Sequence, residues 1–320
     1  MARTSGKITL WAVEVFVATA QEGSISAAAR RLESSAATVS QQLTNLEGAI
    51  GVPLLDRQAR PVGLTPAGTI FLRRANTILN EAEQARAELA QADLSQLTRL
   101  RLGVIEDFDA DVTPRLLSEM GQVLRKCQFL LETGASHRLM DLLEARALDV
   151  IVATRMGPRA DWMEVHPLIE EPFVAAVPKG ALDVGDRMRR LRHMPLVQYT
   201  TRHHMGRAIA AHLERQDIAL PHRFELDSYH AILAMVAAGT GWTILTPLGW
   251  LRAARFRDKV DVVELPFAPL SRTIALTARA GVLGDMPGQI AERLRGILSG
   301  MIVEPAIAEL PWLSGKLRML

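Results

Sequence analysis

The sequence predicts an all-α N-terminal segment, then a long helix, then an α/β region. Three observations carry this. Apolar residues over roughly the first ninety positions recur at helical spacing and leave no strand-like run. A stretch rich in Ala, Glu, Gln and Arg then runs to about Gln91 with no Gly or Pro after Gly68. Beyond Leu94, short apolar strands alternate with amphipathic helices.

In the first segment, Leu10, Val13, Phe16, Val17 and Ala20 mark a helix that Gly23 stops. Ser24 or Ser26 can cap a second helix, Ala27–Leu32. Ser34 or Ser35 can cap a third, whose apolar stripe is Val39, Leu43, Leu46 and Ile50, with Gly51 at its end. Val52–Leu55 and Val62–Leu64, around a polar turn, read as a small hairpin or wing. Thr65-Pro66 opens the long helix, with Thr as cap and Pro at the first helical position. Ile70, Ala75, Ile78, Leu79 and Ala82 can form an apolar seam for dimerisation; a solvated connector is the plainer alternative.

In the α/β region the expected strands are Arg99–Ile105, Gln128–Glu132, Val150–Ala153, Phe173–Val177, Leu196–Tyr199, Trp242–Thr246 and Thr273–Ala278. Helices fit at Thr113–Leu124, His137–Ala145, Met205–Gln216, Ser228–Ala238 and Pro287–Leu298. Such alternation implies largely parallel sheets.

Composition narrows the function classes. The chain has 320 residues, 48% hydrophobic and 22% charged, with net charge +2, an ordinary globular balance. One cysteine, Cys127, excludes an intramolecular disulfide framework and multi-cysteine zinc sites, and fits a cytoplasmic address. The polar start, Met1 to Lys7, leads into no signal-peptide core, so the expectation is an unexported protein. Ala231–Leu251 carries no charge, but Gly239, Gly241, Thr243, Thr246, Pro247 and Gly249 argue against a membrane span. A G-x-S-x-G elbow, a P-loop and a post-strand G-x-G-x-x-G are all missing, so an enzyme is not expected, nor is a cofactor.

Three short helices with a tight turn and a wing make a winged helix-turn-helix. Its third helix must offer polar groups to base edges while flanking cations grip phosphates. Ser35, Thr38, Ser40, Gln41 and Asn45 supply hydroxyls and amides, with Ser26 and Thr65 nearby. Arg30, Arg31, Arg57 and Arg60 can reach the backbone. Residues 1–74 hold eight basic residues against five acids.

The run Phe16-Val-Ala-Thr-Ala-Gln-Glu-Gly-Ser24-Ile-Ser-Ala-Ala-Ala-Arg30-Arg-Leu32 continues with Val39-Ser40-Gln-Gln-Leu43 and Leu46-Glu47. Gly51-Val-Pro-Leu-Leu-Asp-Arg57 and Leu64-Thr65-Pro-Ala-Gly68 follow. Together they resemble the DNA-binding domain of LysR-type transcriptional regulators, and the resemblance extends over nearly the whole chain. It implies a homodimer or homotetramer on partly palindromic double-stranded DNA, with RNA polymerase a further candidate partner. It also implies a two-lobed domain resembling periplasmic binding proteins that senses a small-molecule effector, here expected to be charged. By position, Ser35 should cap the recognition helix near a phosphate, Thr38, Ser40 and Gln41 should face the groove, and Arg57 and Thr65 belong to the wing. Ala36-Ala37 stand where the family commonly has Gln-Pro, which removes one possible base contact.

The expected organisation is then 1–66 winged helix-turn-helix, 67–92 linker and dimerisation helix, 93–302 effector domain and 303–320 C-terminal tail. Effector groups are sought at strand ends and helix N-termini. Glu106, Asp107 and Phe108 follow the first strand, within a run of four carboxylates ending at Asp111 that is either a solvated cap or a dock for a cation. Ser136 and His137 open a helix, and Thr154 ends a strand. Tyr199, Thr200, Arg202, His203 and His204 lie in an Arg/His-rich stretch whose part Arg187–Arg192 reads as a solvated face. Ser228 and Tyr229 open the next helix, and Gly239-Thr-Gly241 through Thr246 resembles a cleft-lining turn of the family. The adjacent histidines are poorly placed to share an ion, and no metal site is expected. Two accounts stay open: an effector bearing both charges bridges carboxylates and Arg/His, or those groups pair and hold the cleft closed.

Overall fold

The computed structural model describes residues 7–57, 59–89, 97–182 and 186–320. They fall into two compact units, residues 1–91 with 145–147, and 92–144 with 148–320. The polar start at 1–6 and the expected linker end at 92 lie outside the described residues.

The first unit opens with α1 (Leu10–Glu22), capped by the Thr9 hydroxyl, which accepts from the Ala12 amide at 3.1 Å. Its C-terminus turns at Gly23, φ +61°, a left-handed conformation that suits glycine. A Cβ there would also lie 2.9 Å from Pro61, at the base of the wing, and the Gly23 carbonyl accepts from the Val62 amide. Ser24, rather than Ser26, caps α2 (Ile25–Arg31), and Ser26 is an exposed residue within that helix. Ser35 caps α3 (Ala36–Ile50) by accepting from the Thr38 amide at 3.0 Å. The wing is β1 (Leu55–Asp56) paired antiparallel with β2 (Gly63–Leu64). The Glu47 carboxylate holds its base, accepting from the Leu54 and Leu55 amides at 2.8 and 3.1 Å.

Thr65 caps α4 (Pro66–Leu89), its hydroxyl accepting from the Gly68 amide at 2.9 Å. The expected apolar seam divides. Ala75 is fully buried and Leu79 packs with Phe71 and Leu72 against Val13, Phe16 and Leu43, while Ile70 and Ile78 stay exposed. The reason is helical spacing: positions 71, 72, 75 and 79 lie on one face, which closes the three-helix core.

In the second unit, the strands are β3 (Arg99–Val104), β4 (Gln128–Thr133), β5 (Val150–Thr154), β6 (Met163–Pro172), β7 (Val174–Pro178), β8 (Leu196–Tyr199), β9 (His222–Leu226), β10 (Thr243–Leu245), β11 (Val260–Glu264), β12 (Ser271–Arg279) and β13 (Arg318–Met319). The helices are α5 (Val112–Val123), α6 (Ser136–Glu144), α7 (Arg187–His193), α8 (His204–Arg215), α9 (Tyr229–Ala237), α10 (Pro247–Arg252), α11 (Met286–Leu298) and α12 (Glu304–Glu309). One lobe is a six-stranded sheet in the order β13-β6-β12-β5-β3-β4. The other carries β10-β7-β11 and the pair β8-β9. The chain crosses between lobes at Phe173 and returns over residues 265–270.

Largely parallel sheets were the expectation, and the observed sheets are mixed. The β3 strand is parallel to β4 and β5, but β12 runs antiparallel to β5 and β6, and β7 is antiparallel to both neighbours. Four strands, β6, β9, β11 and β13, were not expected. Neither were α7, α10 and α12. The Arg187–Arg192 run lies in α7, capped by Asp186, with Leu191 buried.

Leu102, Ile151 and Ile274 in the first lobe join one apolar cluster with Leu245, Leu248 and Val262 of the second. A second cluster, with Leu191, Val197, Ile209 and Trp242, fills the second lobe. The C-terminal tail belongs to the first cluster: Leu313 and Leu317 are buried in it, and β13 pairs with β6. Gly239 and Gly241 do not line the cleft. The left-handed turn at Gly239 ends α9, and at Gly241 a Cβ would lie 2.1 Å from the Pro195 carbonyl oxygen, where the chain passes β8.

Candidate functional site

On the surface of the first unit, α3 buries Val39, Leu43 and Leu46 and exposes Thr38, Gln41, Thr44 and Asn45 along one face. Spacing of three and four puts these polar groups in a row. The Gln41 amide donates to Asn45 Oδ1 at 2.9 Å, and the Ser35 and Thr38 hydroxyls lie 2.8 Å apart. Ser40 is half-buried. Arg30, Arg31 and Arg60 are exposed, and Arg31 reaches Glu22 at 3.2 Å. Arg57 pairs with Glu47 at 2.7 Å and approaches Thr44 at 3.5 Å. The Thr65 hydroxyl is taken up by the fold, donating to the Pro53 carbonyl while it caps α4. Thr44 is the residue of this face that the sequence reading left out; its spacing from Gln41 was the available signal.

In the second unit a cavity of about 280 Å³ sits at the C-terminal ends of β3, β4 and β5. Glu106, Asp107, Ser136, Thr154, Tyr199, His203, His204 and Tyr229 line it, as do Arg155, Phe173, Met205, Ser271, Arg272 and Thr273. Its floor is a buried ionic cluster. Arg272 Nη2 donates to Asp107 Oδ2 at 2.6 Å, and Nε to Glu171 Oε1 at 2.6 Å. Those side chains are 9%, 5% and 0% exposed. Thr154 and Thr246 hydroxyls each stand 3.4 Å from the guanidinium, and the Leu248 amide donates to Glu171 at 3.3 Å.

Burial works against the charged Arg272, yet Glu171 and Asp107 more than offset it and hold its pKa well above the ordinary value. Burial pushes Glu171 up, against the pull of Arg272 and with the help of Asp107. Tyr199 is pushed up by burial and then by Asp107 and Glu106, and Tyr229 by burial and Asp107. The two rings tilt together at 5.3 Å. His204 is pushed down by burial, Arg207, His137 and Arg272.

The other expected effector residues are elsewhere. Phe108 is fully buried in the first lobe, because the one-turn helix Glu106–Phe108 turns it inward. His137 lies beside rather than in the lining, 6.0 Å from the His203 ring. Thr200 is buried and donates to Glu225 at 2.6 Å. The Arg202 side chain is 80% exposed, with Asp227 at 4.0 Å. Ser228 is exposed ahead of α9. Thr246 is buried, and accepts from the Gly249 amide at 3.4 Å. Gly249 is needed there, since a Cβ would lie 2.6 Å from the Tyr229 ring.

Half of the carboxylate run is already paired. Asp107 holds Arg272, and Asp109 meets Arg252 of α10 at 2.7 Å, an ion pair between the lobes. Arg272, Glu171 and Arg155 were missed. The signal for the first two was a charged residue beside each crossing, Glu171 just before Phe173 and Arg272 just after residues 265–270. Among the described residues no group of three or more His, Cys, Asp or Glu side chains could hold a metal ion, and no helix is long and apolar enough to cross a membrane.

A helix-turn-helix unit with a wing, together in one chain with a two-lobed α/β unit, has the architecture of a DNA-binding regulator. Residues 10–69 match the family profile "Bacterial regulatory helix-turn-helix protein, lysR family", and residues 95–285 match "LysR substrate binding domain". The chain belongs to the LysR family of transcriptional regulators. It is 30% identical over 277 residues to the regulator TfdS of Cupriavidus pinatubonensis, covering 84% of this chain and 92% of that one. To the DNA-binding transcriptional dual regulator OxyR of Escherichia coli it is 27% identical over 301 residues, covering 90% and 95%. A full-length OxyR variant from Pseudomonas aeruginosa shares the fold with TM-score 0.67 at 24% identity, over 90% of this chain and 95% of that one. CbnR, a LysR family transcriptional regulator, does so with TM-score 0.60 at 21% identity, over 91% and 99%.

Proposed function

We propose that this regulator binds partly palindromic operators as a homodimer or homotetramer, and that a small charged effector in the β3–β4–β5 cavity shifts its operator contacts. The observation that carries the DNA reading is the exposed row Thr38, Gln41, Thr44 and Asn45, framed by Arg30, Arg31 and Arg60. Amides and hydroxyls of that kind read base edges, and the arginines grip phosphates. The exposed Ile70 and Ile78 of α4 are the apolar groups available for pairing two chains. RNA polymerase is the partner through which an altered operator complex would act, and a cytoplasmic address follows from that role.

Several relatives are named hydrogen peroxide-inducible genes activators. That response does not carry over through an intrachain disulfide, since Cys127 is the one cysteine. Its thiol is pushed up by burial and by Asp149, which disfavours the reactive thiolate.

The test is footprinting on the DNA flanking the encoding gene, over a range of salt. Binding should show paired half-sites and fall steeply with salt. Gln41→Ala should lower specific binding roughly 5- to 150-fold, about 1–3 kcal/mol, and leave non-specific binding intact. Loss of both kinds of binding together, or protection nowhere on that DNA, would refute the proposal.

A further inference from the structure

The reading of the cavity as an effector site leaves open which charges the effector carries, and the order of groups across the sheet answers that. The parallel strands β4, β3 and β5 are adjacent, with Val104 in register with Thr133 on one side and Val152 on the other. Their C-terminal ends therefore present three neighbouring segments, spaced by the strand separation of about 4.8 Å. After β4 comes the N-terminus of α6, with Gly134, Ala135 and Ser136 on the cavity. After β3 come Glu106 and Asp107, and after β5 comes Arg155. A negative position thus lies between a helix N-terminus and a guanidinium.

Most of the charge here is already spoken for. Arg272 is neutralised by Asp107 and Glu171, so it does not wait for an anion. Two charged groups on the lining are different. Glu106 and Arg155 are both exposed, and neither forms an ion pair with any described residue. An effector with one negative charge would meet Arg155 but stand beside Glu106 and Asp107. One with a single positive charge would meet Glu106 but stand beside Arg155 and the α6 N-terminus. A molecule carrying both charges a few ångströms apart satisfies both. Phe173, Met205 and the tilted pair Tyr199–Tyr229 offer an apolar, partly aromatic wall to the rest of it.

We infer that the cavity takes a small amphoteric molecule of the α-amino acid type, its ammonium on Glu106 and its carboxylate on Arg155. The inference rests on the effector reading above and sharpens it. Selectivity comes from the pairing itself, because removing either charge from the ligand leaves one protein charge unmatched.

The test uses the full chain in thermal-shift and calorimetric titrations with the common α-amino acids. Each is matched by the amine lacking its carboxylate and the acid lacking its amino group, such as phenylalanine, phenethylamine and 3-phenylpropanoate. At least one amino acid should raise the Tm and bind ten or more times more tightly than both of its singly charged counterparts. Glu106→Gln and Arg155→Gln change exposed, unpaired side chains, so the fold should stand, and each should weaken the amino acid at least tenfold. The inference fails if a singly charged counterpart binds as well as its amino acid, if no amino acid binds, or if both variants keep full affinity. Operator binding is measured separately, so a regulator that footprints its DNA but prefers a carboxylate would overturn this inference and leave the broader function standing.

Discussion

Asp107 and Arg272, 165 positions apart in sequence, meet at 2.6 Å on the floor of the cavity, with Glu171 on the other flank of the same guanidinium. Two buried carboxylates share one buried cation, so the cluster carries an excess negative charge whenever all three are ionised. The two ways of breaking it are therefore unequal. Arg272→Met strands both carboxylates and should cost about 3–5 kcal/mol in urea unfolding. Asp107→Asn leaves the balanced pair Arg272–Glu171 and should cost less, about 1–3 kcal/mol. Equal losses would mean that Glu171 alone does not balance the guanidinium.

His204 makes stability depend on pH. Burial, Arg207, His137 and Arg272 all hold its folded pKa below the ordinary 6.5. In the gap between the two values the unfolded chain binds more protons than the folded one, so stability rises with pH there. The contribution is complete above about 6.5 and is lost as the pH falls through the folded value. His204→Asn should flatten the stability profile below about pH 6.5, measured by denaturant midpoints at constant ionic strength. A wild-type profile as flat as the variant's would contradict the assigned cause.

Peroxide should act weakly on this chain. Cys127 has no cysteine partner within it, and burial and Asp149 hold the thiol in its protonated form. Operator affinity measured before and after mild peroxide treatment should agree within twofold. Cys127→Ser should behave like the wild type in both conditions. A tenfold change in the wild type that Cys127→Ser abolishes would revive a thiol-based response.

The helical unit was legible because its signals are local. Gly23, Ser35, Gly51 and Thr65 punctuate it, and each does so through its own backbone or hydroxyl, as expected of caps and turns. The seam on α4 was legible only in part, because a helix face says that it is apolar, not which apolar surface it meets. Ala75 and Leu79 found the three-helix core, and Ile70 and Ile78 did not. The β6 strand was missed because Glu164, His166, Glu170 and Glu171 interrupt its apolar pattern. Glu170 pairs with Arg318 at the sheet edge, and Glu171 with Arg272. Those partners lie far along the chain, so no local window could show that the acids belong in a strand. The cavity was legible by address, at strand ends and helix starts. Its floor was not, because Arg272 stands just ahead of the expected Thr273–Ala278 strand, whose antiparallel direction the strand–helix alternation did not imply.

The C-terminal tail is held chiefly by burial, not by its charges. Leu317 is 1% exposed and Leu313 fully buried in the cluster that both lobes share. The ion pairs Arg257–Glu309, at 2.9 Å, and Lys316–Glu264 tie the tail to the second lobe, but their side chains are 30–51% exposed. Solvent-screened pairs of this kind contribute about 0–1 kcal/mol. Removing a buried leucine side chain costs about 2–5 kcal/mol through lost transfer energy and the cavity left behind. Leu317→Ala should therefore lower stability by that amount, while Lys316→Ala changes it by less than about 1 kcal/mol. Both are read from urea midpoints at low and high salt, where the lysine effect should shrink and the leucine effect should not. If Lys316→Ala proves the more damaging, charge rather than apolar packing anchors the tail.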